Sequence, residues 1–343
     1  MERRQFLKAL VGIVGYAAMI RPGRSAPAKH EIMTVRGGIS PESLGVTLPH
    51  EHLLVDFSGA DTPSKGRYDP DEVVEVVLPY LKQARELGVQ SLVECSPPYL
   101  GRDPVVLTHL SEASGVNILT PTGYYGAASK KFVPAHAYSE AADKLASRWI
   151  DEWKDGIEGT GVRPGFLKTG TDAGPLAEIN QKLIRAAART HLATGLTIAS
   201  HTTGGIAAME ELEILTEEGV HGSAFIWVHA QSENDGTFHL RAAEKGAWLE
   251  FDAIRPQPQP TRRHLELVKS MKERGLLDQV LLSHDAGWYS IGEPRGGSFR
   301  PFDTLFTKFI PALKEEGLTE DEIRQLTITN PREAFTVRTR ALS

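Results

Sequence analysis

Several apolar, strand-like segments of this chain stop on a side chain that can hold a metal, and their spacing restricts what the chain can fold into. They are GVTLPHEH at His50 and His52, LTIASH at His201, AFIWVH at His229 and VLLSHD at Asp285. His201 and His229 are 28 residues apart, and His229 and Asp285 are 56 apart, twice that distance. One strand, one helix and two loops occupy about 30 residues. AWLEFD at 247–252 fills the missing beat as a strand without an evident ligand. Counting backwards, GFLKTG around Lys168, NILTPTGYY at 117–125, VQSLVECS at 89–96 and the His50 strand complete a set of eight. DEVVEVVLPYLKQARELG, AEINQKLIRAAARTHLATG, GIAAMEELEILTEEG and RRHLELVKSMKERG fall between them. Each has apolar residues three or four apart and closes on glycine, as a helix does. Eight alternations predict an α/β chain of the (β/α)8 TIM-barrel type, whose sites sit at the C-terminal ends of the strands.

Side chains alternate faces along a strand, so His50 and His52 point one way, about 7 Å apart, and Glu51 points the other. That pair is half of a metal site. Imidazole nitrogens and a carboxylate, with no thiolate, suit zinc; cobalt, manganese and iron also accept them. Five ligands exceed what one tetrahedral catalytic zinc uses, so two divalent ions are expected, with a bridging ligand between them. Lys168 is the candidate. An ammonium has no lone pair, but burial favours a neutral amine, which adds carbon dioxide to form a carbamate able to bridge two ions.

The amino terminus reads separately. A charged start, an apolar run from Ala9 to Ile20 and Ala26-Pro27-Ala28 have a signal-peptide layout over residues 1–28. Arg3-Arg4-Gln5-Phe6-Leu7-Lys8 resembles the twin-arginine export motif, with Glu2 where Ser or Thr is usual. The expected location is therefore periplasmic or secreted. The apolar run is shorter than the roughly 20 residues of a membrane span, so no stable membrane insertion is expected. Residues 29–343 are then expected to form a single domain. Beyond residue 28 the chain holds 33 Lys and Arg against 43 Asp and Glu, a formal charge of −10. That balance excludes a nucleic-acid partner, which needs clustered cations. With Cys95 alone, there is no intrachain disulfide.

Taken together, GVTLPHEHLLVD, GFLKTGTD, RAAARTHLATGLTIASHTTGG, the His229 strand, LLSHDAGW and TNPREAF resemble the phosphotriesterase family of the amidohydrolase superfamily, which includes the phosphotriesterase-like lactonases. The resemblance spans most of 32–335. It implies a binuclear site: His50, His52 and Asp285 on the buried ion, His201 and His229 on the exposed one, and carboxylated Lys168 bridging both. A hydroxide between the ions would be the nucleophile and Asp285 both ligand and proton acceptor. A homodimer is also implied.

The expected reaction is hydrolysis of a small-molecule lactone or other carboxylic ester, with an organophosphate triester as the alternative. Tyr125 sits where the lactonase branch carries a tyrosine near the metals, and it reads as catalytic and substrate-binding; packing of the loop by Tyr124 and Tyr125 is an equal reading. Arg255 follows the seventh strand as a substrate contact, although the lactonase branch has its arginine directly after the aspartate and here Ala253 and Ile254 intervene. Trp288, in the long loop after strand eight, is expected to shape the pocket. Asp252 reads first as a packing or surface residue, with support of a ligand from behind as the alternative. His30, His109, His136, His191, His221, His239, His264 and His284 read as structural, with His284 facing away from the barrel axis. Two other classes remain: a Schiff-base lyase using Lys168 as a free amine, and a binding protein that keeps the metals without turnover.

Overall fold

The first barrel strand, β1, runs Thr47–Val55, and all nine of its residues are buried. A barrel strand has side chains of the interior on one face and helices on the other, so even its polar residues lose solvent. In this computed structural model, residues 31–343 other than 63 and 257 are described. The signal reading on 1–28 lies outside the described residues.

The remaining strands follow in chain order: β2 Ser91–Glu94, β3 Asn117–Leu119 continued by Pro121–Thr122, β4 Phe166–Thr171, β5 Ile198–Thr202, β6 Phe225–Val228, β7 Trp248–Phe251 and β8 Val280–Leu282. Neighbours pair in parallel from β1 to β8; Lys168 lies opposite Ala199 and Gly170 opposite His201. The ring closes beyond β8, where Asp285 N donates to His50 O (3.1 Å) and His52 N to Ala286 O (2.9 Å). Gly287–Ser290 then continues in parallel register along β1. This is the (β/α)8 TIM barrel the spacing predicted.

The four anticipated helices form over Pro70–Glu86, Glu178–Thr194, Gly205–Glu217 and Pro258–Glu273. Three more cover β2, β3 and β6: Pro104–Ser114, Ala142–Asp155 and Gly236–Glu244. Their signals are local. Asp103 caps the first by accepting from Val105 N and Val106 N, and Leu145, Ala146, Trp149 and Trp153 form the buried stripe of the second. Among the described residues, no helix is long and apolar enough to cross a membrane.

The barrel interior is layered. Val93, Phe166, Ala199, Ile226, Trp248 and Leu281 pack with Ile32, Leu44 and Phe335 into an apolar floor. Two residues further along the same faces stand Lys168, His201, Val228, Glu250 and Ser283, and two further again Asp252 and Asp285. The period of two that builds the floor thus also aims the polar groups at the mouth.

Gly287 closes the seam with φ +89°, and a Cβ there would lie 2.0 Å from His52 O. Gly287→Ala is expected to destabilise the fold by more than about 2 kcal/mol, read as a lowered urea midpoint. A second dependence lies at the opposite end. Buried His191 bonds Leu196 O (2.8 Å) through Nδ1 and accepts from Arg340 N (2.9 Å) through Nε2, and burial lowers its pKa to about 4. Below its ordinary 6.5 the unfolded chain takes a proton that the folded one refuses. Stability is therefore full above pH 6.5 and falls as pH drops toward 4, by about 3 kcal/mol. His191→Gln should flatten the urea midpoint across that window relative to the parent.

Candidate metal centre

β1 presents His50 and His52 to the barrel mouth with their Nε2 atoms 3.3 Å apart. Asp285 Oδ1 approaches from the β8 seam, 3.4 Å from His52 Nε2 and 3.9 Å from His50 Nε2. The three donor atoms lie within 4.8 Å of one another. Burial lowers the His50 imidazole to about 3, so at neutral pH it offers a lone pair. For Asp285, burial acts upward, but the His52 and His50 rings close by hold the carboxyl below the ordinary range.

His201 and His229, at the ends of β5 and β6, face each other with ring centres 4.2 Å apart, and the His50 ring is 5.1 Å from His229. Burial lowers His201 well below its ordinary value. His229 and Asp285 both sit at positive φ, +66° and +48°. Such backbone is uncommon for residues with a side chain and clusters where geometry serves function.

The outer nitrogens of these rings are committed. His229 Nδ1 donates to Asp252 Oδ1 at 2.6 Å, and His50 Nδ1 lies 2.6 Å from Glu250 Oε1 and 3.2 Å from Asp252 Oδ2. His52 Nδ1 is 2.9 Å from Ser96 Oγ. A histidine held this way turns its Nε2 lone pair outward and keeps it there. Asp252 is thus no surface or packing residue: it has no solvent exposure and supports two rings at once. Burial acts upward on Asp252, but the His229 and His50 contacts hold it ionised; burial and that charge push Glu250 well up. Sequence reasoning missed Glu250. Its signal was its place two residues before Asp252, on the same interior face.

Lys168 stands in β4 at 1 % exposure, and its Nζ has no hydrogen-bond partner. Asp285 Oδ1 is likewise unpartnered. A buried amine and a buried carboxylate oxygen without hydrogen bonds are costly. Ions held by the imidazole lone pairs would satisfy the oxygen, and carboxylation would make the amine a ligand. The donor set fits a divalent metal pair.

Behind β1, Glu51 faces away from these donors, as alternation predicted. It accepts from Ser283 Oγ (2.9 Å), His284 Nδ1 (2.7 Å) and Ala286 N (2.7 Å), stitching β1 to β8. His284 faces away as well, and its Nε2 accepts from Leu305 N (2.9 Å).

A cavity of about 280 Å³ opens above the cluster, lined by all six predicted ligands and by Tyr125 and Trp288. The Tyr125 ring is 5.2 Å from His201 and 5.8 Å from Phe132, and burial, with Asp285 second, raises its hydroxyl. Trp288 meets His52 edge-on at 5.6 Å, with the Arg300 guanidinium 4.7 Å from its own ring. Arg255 lies elsewhere, in a separate cavity shared with Arg300 and Lys308. Lys131 and Phe132, which line the main cavity, were not singled out from sequence. They follow Ala128, Ser129 and Lys130, three consecutive residues at φ +51° to +64°. Each such residue costs roughly 1–2 kcal/mol.

A TIM barrel carrying this donor set at its C-terminal mouth defines a class, the barrel hydrolases that use metal. The chain belongs to the Phosphotriesterase family, whose family model matches residues 30–335. The phosphotriesterase homology protein of Escherichia coli is 29 % identical over 299 residues, covering 87 % of this chain and 100 % of that protein. An aryldialkylphosphatase of Saccharolobus solfataricus is 27 % identical over 88 % of this chain and 98 % of its own. A mutant of a PTE-like lactonase from Deinococcus radiodurans superposes with TM-score 0.80 at 27 % identity, over 89 % and 99 % of the two chains. The chain is accordingly a hydrolase, and the family resemblance read from sequence holds.

Proposed function

We propose that the protein is a binuclear metal-dependent hydrolase that opens a lactone or cleaves a related carboxylic ester. The observation that carries this is the gathering of His50, His52, Lys168, His201, His229 and Asp285 around one cavity, with Lys168 Nζ and Asp285 Oδ1 buried and unpartnered. His50, His52 and Asp285 would hold one ion and His201 and His229 the other, with Lys168, as its carbamate, shared. Zinc suits the set best; cobalt, manganese or iron would also be held. Bound there, the ions supply Lewis acidity and a nucleophilic water at neutral pH.

The chain's own groups do the rest. Asp252 and Glu250 keep the rings of His50 and His229 aimed inward. Tyr125, its hydroxyl raised by burial, stays protonated and donates to an oxygen of the substrate. Asp285, held as a carboxylate, receives the proton released in hydrolysis and passes it toward the mouth. Trp288 and Phe132 exclude water from the bound ester. The similarity to a lactonase supports the acyl reading; the similarity to an aryldialkylphosphatase makes a phosphotriester the second substrate. We place this domain over 29–343, behind a twin-arginine signal that takes it to the periplasm or outside.

The test is a pH-indicator assay on protein reloaded with zinc or cobalt, using aliphatic, acyl-homoserine and sugar lactones beside a phosphotriester. Lactone turnover that His201→Ala abolishes is the expected result. Turnover of the phosphotriester alone would replace the acyl reading, and metal-bound protein inert to every substrate would favour the non-catalytic one.

A further inference from the structure

Apart from the six proposed ligands, the walls of the main cavity are apolar or aromatic, with one exception. Val55, Phe57, Leu100, Phe132 and Trp288 form most of the surface, and Lys131 alone brings a charge. Its neighbour Lys130 pairs with Asp172 at 3.3 Å. No ion pair engages Lys131 among the described residues; its ammonium rests 5.9 Å from the Phe132 ring.

The position of Lys131 is built. Ala60 N donates to Lys131 O at 3.0 Å. Its stem lies along Gly59, where an added Cβ would come 3.0 Å from Cγ and 3.3 Å from Cε. The left-handed residues Ala128, Ser129 and Lys130 deliver it there, and Lys130 is tied down by Asp172 at the end of the Lys168 strand. Lys131 also lines a second hollow of about 420 Å³ with Ser58, Asp61, Lys130 and Tyr138. It therefore stands where the apolar chamber gives onto a more polar one.

From this geometry we infer that Lys131 is a specificity-determining residue, selecting esters or lactones whose apolar body ends in an anionic group such as a carboxylate. The inference rests on the hydrolase reading and adds the substrate's charge to it. The reacting bond sits among the proposed ligands, the aliphatic part fills the Phe57–Phe132–Trp288 chamber, and the anion meets the ammonium at the edge. A chain of strongly negative formal charge repels such a substrate at long range. A local cation at the mouth is what restores its binding.

The experiment uses a γ-lactone with a short side chain ending in a carboxylate, and the same compound as its primary amide, on zinc-reloaded protein. The parent should prefer the carboxylate in kcat/KM by tenfold or more, mainly through KM, and 0.5 M salt should erode that preference. Lys131→Arg should keep it, Lys131→Ala abolish it and Lys131→Glu reverse it. A ratio equal within twofold in all four proteins overturns the inference while leaving the hydrolase reading intact. Should the parent hydrolyse neither compound, that reading fails for lactones, and calorimetry with the ring-opened hydroxy-dicarboxylate and its monoamide decides Lys131 alone. Weaker dicarboxylate binding by Lys131→Glu supports the contact, and equal binding by parent and variant overturns it.

Discussion

Lys168→Met is expected to lower bound metal from two ions per chain to one or none, and hydrolysis by more than the roughly 100-fold that loss of a mere supporting contact costs. The same substitution should raise the stability of the metal-free protein. Nζ is buried and without a partner, and removing an unsatisfied polar group from a core gains about 1–3 kcal/mol. Methionine fills nearly the same volume, so a cavity penalty does not mask the gain. A lysine kept for folding would give the opposite sign. Metal analysis by mass spectrometry and urea unfolding of metal-free protein read the two effects separately. Two ions and full turnover in the variant would remove Lys168 from the site.

Asp252→Asn is the second large effect. Asp252 accepts from His229 Nδ1 (2.6 Å), His229 N (3.1 Å) and Gln231 Nε2 (2.8 Å), and lies 3.2 Å from His50 Nδ1. An amide of the same shape has one accepting oxygen, and its NH2 would meet donors. Relieving that clash moves a proton to Nε2 of His229 or His50, onto the nitrogen that must face the metal. Metal affinity should fall about 10–100-fold in a chelator competition, with far-ultraviolet circular dichroism unchanged. Unchanged affinity would reduce Asp252 to a packing group.

The two residues differ in how readily sequence reveals them. Lys168 was legible because its segment occupies one beat of an eightfold spacing in which several other beats end in histidine or aspartate. Asp252 occupies a beat too, yet of the two rings it serves only His229 is on the next strand; His50 is two strands away, and only the closed barrel brings β7 across to it. Glu250 was lost for the same reason. Lys131 carried no local signal at all: a lysine after Ala-Ser-Lys reads as a surface turn until the left-handed backbone is seen. Arg255 shows the converse, a residue whose place after a strand invited a role in the cavity and whose chain carries it into another one.

Periodicity and spacing by themselves determined the barrel, the strand ends and the faces that look inward. A strand's alternation and a βα unit's length are properties of the local chain, expressed wherever the residues stand. Which carboxylate braces which imidazole, which groups are left buried without partners and which single charge reaches the cavity were decided by the tertiary structure. Those are distances between residues up to 233 positions apart, and no local rule encodes them.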